Sequence, residues 1–363
     1  MLLSNIAYVF LISLVVALVL TPSMRKISLQ YQILDRPGKR RVHTKPVPTL
    51  GGIAIFIAFM AAVLFAFFIN KDFREEFAPH ILGLVFGGLA VLLLGVYHDL
   101  KDIHPLVKLA GQVLAAVLAF SLGLKIEFIT NPLGGQIQLN LLASLLLTVF
   151  WMVALMNAVN LSDGLDGLAA GLTAISSLAL FYIALFKSNT ETIFLIVALM
   201  GCSIGFLRYN FFPAKIFMGD TGSMFLGFAL AAISLLGSRK MATSMALIIP
   251  LTVLVIPIFD TLLAIIRRIL KKHHIYRPDR QHLHHRLLNM GLSQRQVVLF
   301  LYVVCAYFGL IAFLFVLIPI EYAFMLLILL AMGVLLGIRT IGFIERKMRK
   351  MHRMEKKLSE EHK

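Results

Sequence analysis

Long apolar runs recur along the whole 363-residue chain and constrain its fold more than any other feature. Each run is about 18 to 22 residues long, which at 1.5 Å per residue is enough for a helix to cross about 30 Å of hydrocarbon. Charged residues make up 14% of the chain, against about 25% in an average soluble domain. The alternation of polar and apolar residues that a membrane β-barrel needs is absent. The sequence therefore predicts an all-α polytopic integral membrane protein.

The apolar runs divide the chain into spans and loops. We predict about eleven transmembrane helices in residues 1–343, followed by a basic, mixed-charge cytoplasmic tail at 344–363. The first run lacks the basic start and the small-residue cleavage site of a signal peptide, so it is interpreted as a span. The predicted spans are approximately 2–22, 50–69, 79–97, 106–124, 140–158, 168–187, 192–208, 222–238, 243–268, 296–318 and 322–342.

Lysine and arginine set the predicted orientation. The chain has a formal charge of +16, and its basic residues cluster after the first span, after the ninth span and in the tail. Cytoplasmic segments are enriched in Lys and Arg, so these three segments are predicted to be cytoplasmic, with the N-terminus outside and the C-terminus inside. This topology explains the charge without a nucleic-acid partner. On the outer side, alternation around residues 125–139 predicts a small β-hairpin.

Five aspartates lie at or near span ends, although an ionised side chain within a span costs about 2.5–3.5 kcal/mol. In the predicted topology they all face the cytoplasm. A single such Asp is often a helix cap, but five on one face indicate a shared site. Carboxylates suit Mg²⁺, with Mn²⁺ as a substitute, held by few protein ligands together with substrate phosphates. The five are Asp99, Asp163, Asp166, Asp220 and Asp260.

Basic side chains accompany these carboxylates and predict an anionic substrate. Lys45 and Lys215 lie in the same cytoplasmic stretches, and the run "HLHH" supplies His282, His284 and His285. Zinc binding is an alternative for the histidines, although no Cys accompanies them, and a purely structural role is another. Cationic donors and helix N-termini both favour phosphate. Together these features predict Mg²⁺-dependent phosphoryl chemistry at a membrane face, with a lipid as the second substrate.

Six motifs occur in the order of a known family: "DRPGKRRVHTKPVPTLGG", "HDLKD", "NAVNLSDGLDGLAAG", "FPAKIFMGDTGS", "PIFDT" and "DRQHLHHRL". Over about residues 35–290 the chain resembles the polyprenyl-phosphate N-acetylhexosamine-1-phosphate transferases, and in "HLHH" the branch that starts teichoic acid and O-antigen (lipopolysaccharide) synthesis. The resemblance implies transfer of GlcNAc-1-phosphate from UDP-GlcNAc to undecaprenyl or another polyprenyl phosphate, with release of UMP. It also implies a multi-pass enzyme of the cytoplasmic membrane and a homodimer.

The resemblance further implies roles for individual residues. Asp220 matches the Mg²⁺ ligand, with Asp99 in support, and Asp99, Asp163 and Asp166 match the catalytic group. The residues implied in substrate binding are Lys45, His43, Asn157, Asn160, Lys215, Asp260, Arg280, His282, His284 and His285.

One position departs from the family pattern, which usually has two adjacent aspartates where this chain has His98 and Asp99. The first aspartate has been proposed as the base that deprotonates the lipid phosphate. A phosphate monoester has a second pKa of about 6, so at neutral pH it is mostly dianionic without a base. His98 could still accept the proton catalytically, or it could have no chemical role. We predict direct attack by the lipid phosphate, with a covalent intermediate on Asp99, or on Asp163, as the alternative.

Three other functions stay open at this point. A phospho-N-acetylmuramoyl-pentapeptide transferase has the same fold and reaction type, but tends to have three consecutive histidines. A membrane transporter typically has ionisable residues in mid-span and repeated halves, whereas in this sequence the charges sit at one face and there is no internal repeat. An inactive scaffold of the same fold is the third alternative, and it is suggested by His98.

Overall fold

The computed structural model describes residues 2–37, 45–130, 136–239 and 283–318, with isolated positions at 258, 262, 322, 325, 328, 329, 332 and 333. Helices dominate these residues. They are α1 (Leu2–Gln30), α2 (Gly51–Ile69), α3 (Lys71–Lys101), α4 (Pro105–Ser121), α5 (Leu141–Ser162), α6 (Leu168–Phe186), α7 (Thr190–Asn210), α8 (Gly219–Arg239), α9 (Leu283–Asn289) and α10 (Gln294–Leu317). Four short strands accompany them: β1 (Leu34–Asp35), β2 (Val47–Pro48), β3 (Phe128–Thr130) and β4 (Gln136–Gln138).

Within the described ranges, eight helices are long and apolar enough to cross a membrane, which confirms the predicted polytopic helical class. α4 is also apolar but has only 17 residues. Each of the nine predicted spans that fall on described helices corresponds to one of them. The predicted spans 243–268 and 322–342 lie outside the described residues, apart from isolated positions. The total of eleven spans and the orientation therefore remain predictions.

The predicted hairpin is present as the antiparallel pair of β3 and β4, with Phe128 opposite Gln138. Two buried hydroxyl side chains of α5 attach the segment just before β3 to the bundle. Ser144 Oγ donates to the carbonyl of Ile126 at 2.5 Å, and Thr148 Oγ1 accepts from the Ile126 amide at 2.9 Å. A second antiparallel pair, β1 with β2, was not predicted, since two-residue strands leave no periodic signal.

α7 and α8 form the buried centre of the described bundle. α8 contacts α2, α3, α5 and α7, and almost its whole apolar length is buried. Membrane helices gain little from a hydrophobic force between them, so close van der Waals packing holds such a bundle together. The fully buried aromatic side chains include Phe59, Phe73, Phe77, Phe194, Phe206, Phe225 and Phe228.

The start of α8 is held in place by the segment that leads into α2. The Phe217 amide donates to the Pro48 carbonyl at 2.8 Å, and the Gly51 amide donates back to the Phe217 carbonyl at 3.0 Å. The Gly52 amide donates to the Met218 carbonyl, also at 3.0 Å. This ladder joins the predicted motif "PTLGG" directly to "FMGD" and so fixes the helix end that carries Asp220.

Candidate active site

Asp220, in the first turn of α8, lies at the centre of a polar cluster built from four helices. Lys108 Nζ, from α4, forms an ion pair with Asp220 Oδ2 and also donates to Asn160 Oδ1 at 2.8 Å. Asn160 Nδ2, from the end of α5, donates to Asp220 Oδ1 at 2.9 Å. His98 Nε2, from the end of α3, lies 3.1 Å from Asp220 Oδ2. The cluster therefore surrounds one carboxylate with a cation, an imidazole and an amide.

Lys108 is the residue of this cluster that sequence reasoning missed. Its side chain is 14% exposed and points at Asp220 rather than at the surface. A signal was available, because Lys108 is the only charged residue in the predicted span 106–124. Ionisable side chains in a membrane span are costly and usually belong to a functional site, so the position alone marks this lysine.

Asp99 lies beside the cluster and holds the N-terminus of α8. Its Oδ1 accepts from the Asp220 amide at 2.8 Å. Its Oδ2 accepts from the Thr221 amide at 3.1 Å and from the Thr221 hydroxyl at 2.6 Å. Gly219 has a φ of 68° and passes so close that a Cβ there would lie 2.3 Å from Oδ2. Asp99 thus positions Asp220, while its catalytic and metal-binding roles remain predictions.

Asn157 lies about one helical turn deeper than Asn160 and joins a second polar layer. Its Nδ2 donates to Gln112 Oε1 at 2.8 Å and to the Val153 carbonyl at 2.8 Å. Gln112, fully buried on α4, donates in turn to Met224 Sδ at 3.2 Å. The polar site therefore extends inward between α4, α5 and α8.

Asp163 and Asp166 lie in the loop of residues 163–167 between α5 and α6, which we call the aspartate loop. Asp166 Oδ2 accepts from the Ala214 amide at 2.8 Å and so ties this loop to the segment before α8. Burial raises the pKa of Asp163 to about 8, and the negative charges of Asp220, Asp99 and Asp166 contribute. Asp163 therefore lies within electrostatic reach of the other predicted carboxylates.

The histidine motif reaches the aspartate loop through His284. A Cβ on Gly164 would lie 2.5 Å from His284 Nε2, so the imidazole packs on the loop backbone. His284 is 3% exposed, and the ring of His285 lies 4.3 Å away, measured between ring centroids. The side chains of Lys45 and Lys215 are exposed. The predicted residues His43, Asp260, Arg280 and His282 lie outside the described residues.

In the part of the chain that the structure describes, no three His, Cys, Asp or Glu side chains form a group that could hold a metal ion. Mg²⁺ commonly binds through one or two carboxylates plus waters and substrate phosphates, so it needs no such group. The oxygens of Asp220 are the ligand type that Mg²⁺ prefers, and they fit a site of that kind.

The described cluster gathers polar residues at neighbouring helix ends in an otherwise apolar bundle, which defines an integral membrane protein with a polar site at its helix ends. Residues 81–238 match the family model described as glycosyl transferase family 4. The chain is 41% identical to a probable undecaprenyl-phosphate N-acetylglucosaminyl 1-phosphate transferase of Bacillus subtilis, over 83% of this chain and 82% of that protein. It is 34% identical to a decaprenyl-phosphate N-acetylglucosaminephosphotransferase of Mycolicibacterium smegmatis, over 86% and 81% of the two chains.

A phospho-N-acetylmuramoyl-pentapeptide-transferase of Desulforudis audaxviator is 34% identical over 80% of this chain and 90% of that protein. The chain belongs to glycosyl transferase family 4, which confirms the resemblance noted in its motifs. It is an enzyme of the sugar-phosphate transferase type and a multi-pass protein of the cell membrane. This family membership sets a transporter aside.

Proposed function

We propose that the protein transfers GlcNAc-1-phosphate from UDP-GlcNAc to undecaprenyl phosphate, giving undecaprenyl-diphospho-GlcNAc and UMP. The observation that carries this proposal is the Asp220 cluster, where Lys108, His98 and Asn160 converge on one carboxylate at adjacent helix ends. A water-soluble nucleotide and a membrane-bound phosphate would meet at such a place. Two relatives named as polyprenyl-phosphate GlcNAc phosphotransferases support the choice of substrates. The product would begin a cell-envelope glycopolymer.

Asp220 is the residue that would hold Mg²⁺, with Mn²⁺ as a substitute. When bound, the ion supplies positive charge that neutralises the diphosphate of the donor. Lys108 shares Oδ2 of Asp220, so its ammonium is placed to transfer its contact to a substrate phosphate oxygen. Asn160 forms hydrogen bonds with both Lys108 and Asp220 and so fixes the positions of these two groups relative to each other.

The chemistry is a phosphoryl transfer between two oxygens. An oxygen of the lipid phosphate attacks the sugar-bearing β-phosphorus of the donor and forms a new P–O bond. The bond from that phosphorus to the bridging oxygen breaks, and UMP leaves with the bridging oxygen and its electron pair. Catalysis then consists of holding the reactants in line and stabilising charge, which a cluster of fixed donors provides.

His98 acts in this proposal as a hydrogen-bond donor rather than as a base. Its Nδ1 is buried, and no partner for it exists among the described residues. Its Nε2 faces the carboxylate of Asp220, which can only accept when ionised. A proton on Nε2 satisfies that contact, and the lipid phosphate is mostly dianionic at neutral pH without a base. The imidazole therefore helps to orient Asp220.

Direct transfer is favoured over a covalent aspartyl intermediate by the contacts of Asp99. Both of its oxygens accept hydrogen bonds from the N-terminus of α8, and this stabilises the carboxylate as an acceptor. A nucleophile would have to give up those bonds before attacking phosphorus. Acid-quench trapping of a phosphorylated or glycosyl-phosphorylated enzyme would contradict direct transfer.

The muramoyl-pentapeptide donor is the second candidate, supported by the relative from Desulforudis audaxviator. The test is UMP release by the purified protein with undecaprenyl phosphate and Mg²⁺, using UDP-GlcNAc and UDP-MurNAc-pentapeptide in parallel. We expect release with UDP-GlcNAc only. Release with the pentapeptide donor alone would assign the protein to the muramoyl-pentapeptide transferase branch. No UMP release with either donor would reject the proposal.

A further inference from the structure

We propose that Tyr302, on α10, is a positioning residue for the aspartate loop. α10 carries none of the residues that the motifs assign to the site, and it lies after the histidine motif in the chain. Its phenol nevertheless reaches the residue that follows Asp166. The hydroxyl of Tyr302 donates to the carbonyl of Gly167 at 2.6 Å, across 135 positions of sequence.

Gly167 is the last residue of the aspartate loop, and side chains hold both polar groups of its backbone. Its amide donates to Asn210 Oδ1 at 3.0 Å, and its carbonyl accepts from Tyr302. Its φ is 80°, a left-handed conformation that glycine adopts without a Cβ penalty. Two side chains from α7 and α10 thus fix the direction in which the loop leaves Asp166 and enters α6.

The packing of α10 on α6 is shaped to let the phenol reach this carbonyl. A Cβ on Gly171 would lie 1.9 Å from the Tyr302 hydroxyl oxygen, so only glycine leaves the space. A partly buried phenol hydroxyl needs a partner, and it finds one in the Gly167 carbonyl, which also accepts from the Gly171 amide at 2.9 Å. The contact is therefore specific for the hydroxyl and does not depend on the ring alone.

Side chains from α7 and α10 also hold the loop of residues 211–218 before α8. Asn210 is 2% exposed and uses its Nδ2 to donate to the Ile216 carbonyl at 3.0 Å. Arg295, in the first turn of α10, donates to the Phe212 carbonyl at 3.3 Å and packs on the Phe212 ring. α10 therefore contacts both loops that lead to the carboxylates and sets their alignment.

The expected consequence rests on the proposed function, and we further propose that the aspartate loop is the part of the site that binds the nucleotide donor. Losing the Tyr302 hydroxyl would loosen the loop while leaving the Asp220 cluster intact. The KM for UDP-GlcNAc should then rise, whereas kcat and the KM for the lipid phosphate change little. A purely structural role would lower the active fraction and leave both KM values unchanged.

The test compares Tyr302→Phe with Tyr307→Phe in the full-length protein, reconstituted in lipid nanodiscs. Tyr307 lies on the same helix, is 59% exposed and is the matched control. For Tyr302→Phe we expect a roughly tenfold higher KM for UDP-GlcNAc, the factor that corresponds to about 1.4 kcal/mol. We also expect faster hydrogen exchange in peptides covering residues 158–171. Tyr307→Phe should behave as the wild type in both measurements.

Unchanged KM together with unchanged exchange in Tyr302→Phe would overturn the positioning role. An equal fall in kcat for both tyrosine variants would overturn it too, because that result points to helix packing in general. If wild-type protein does not turn over UDP-GlcNAc, the proposed function fails. Hydrogen exchange of the aspartate loop then still decides the role of Tyr302, since it needs no substrate.

Discussion

At the scale of single residues, the site depends on how positive and negative groups share Asp220. Its Oδ2 faces both Lys108 and His98, and its Oδ1 faces Asn160. Several donors on one carboxylate keep it ionised and fixed in one orientation. An incoming cation and Lys108 would therefore act on the same oxygen, Oδ2. Removing the Lys108 ammonium must then change the affinity of Asp220 for the cation.

Replacing Lys108 by Met should separate metal affinity from turnover. Removal of the ammonium leaves Asp220 more negative, so less Mg²⁺ should give half-maximal activity. Turnover should fall by about 10²–10³-fold, the usual effect of removing a preorganised charge from a transition state. Initial rates over a Mg²⁺ titration measure both quantities. Lys101→Met, an exposed lysine at the end of α3, is the control and should change neither. A higher Mg²⁺ requirement in Lys108→Met would contradict the shared oxygen.

Replacing His98 by Gln should preserve most of the activity, because the amide can donate to Asp220 as the imidazole does. Replacement by Leu removes the donor and should lower kcat by about tenfold, in line with the net value of one hydrogen bond to a charged group. The pH dependence of kcat gives the sharper distinction. If His98 served as a base, the Gln variant would be nearly inactive and its acidic limb would be lost.

Asp163 should make the metal-free protein less stable as pH rises. Its pKa of about 8 in the folded protein exceeds the ordinary value of 3.8, so the folded state binds more protons between these values. Stability is then lost progressively as pH increases from about 4 to about 8, and no further loss follows above that range. In EDTA, the melting temperature of Asp163→Asn relative to that of the wild type should rise between pH 5 and pH 8. A constant difference across that range would contradict the raised pKa.

At the scale of helices and strands, hydropathy predicted the existence of elements better than their ends. α3 begins at Lys71 rather than near 79, because Asn70 caps it at the Phe73 amide and a polar turn precedes the apolar run. α1 likewise continues to Gln30, past Pro22. Hydropathy detects the segment that contacts lipid, and it gives no signal for helical turns that continue into water.

The close approach of α2 and α8 offers a test at this scale. A Cβ on Gly52 would lie 2.1 Å from the Gly222 nitrogen, so Gly52→Ala must push the start of α8 away. A displacement of about 1 Å at a catalytic group costs on the order of 10²-fold in rate. We expect a loss of that size, measured as UMP release at saturating substrates. Gly237→Ala, on α8 with its nearest neighbour at 3.4 Å, is the control.

Equal activity of the two glycine variants would show that the α2 contact does not position Asp220.

The sequence motifs predicted part of the site and could not predict the rest. They predicted Asp220, Asn160 and Asp163 as one site, and the structure brings those residues together. They could not predict that Asp99 caps α8, or that Lys108 pairs with Asp220, because both facts depend on how separate helices approach each other.

At the scale of the whole molecule, the helices that the structure describes surround a polar cluster near their ends. The aspartate loop, the histidine-bearing α9 and the start of α8 come from distant parts of the chain and converge there. In the proposed function, the lipid phosphate would reach this cluster from the bilayer and the nucleotide would reach it from water. A polar cluster at helix ends fits a transferase that joins a soluble donor to a membrane acceptor.

Mass spectrometry of the lipid fraction is the most direct test of that assignment. Purified protein in vesicles would be incubated with UDP-GlcNAc, undecaprenyl phosphate and Mg²⁺. We expect a lipid heavier by one GlcNAc-1-phosphate, equal in amount to the UMP released, and none without Mg²⁺ or with Asp220→Asn. UMP without the lipid product would mean that the protein hydrolyses the donor, and product formation by Asp220→Asn would remove Asp220 from the centre of the mechanism.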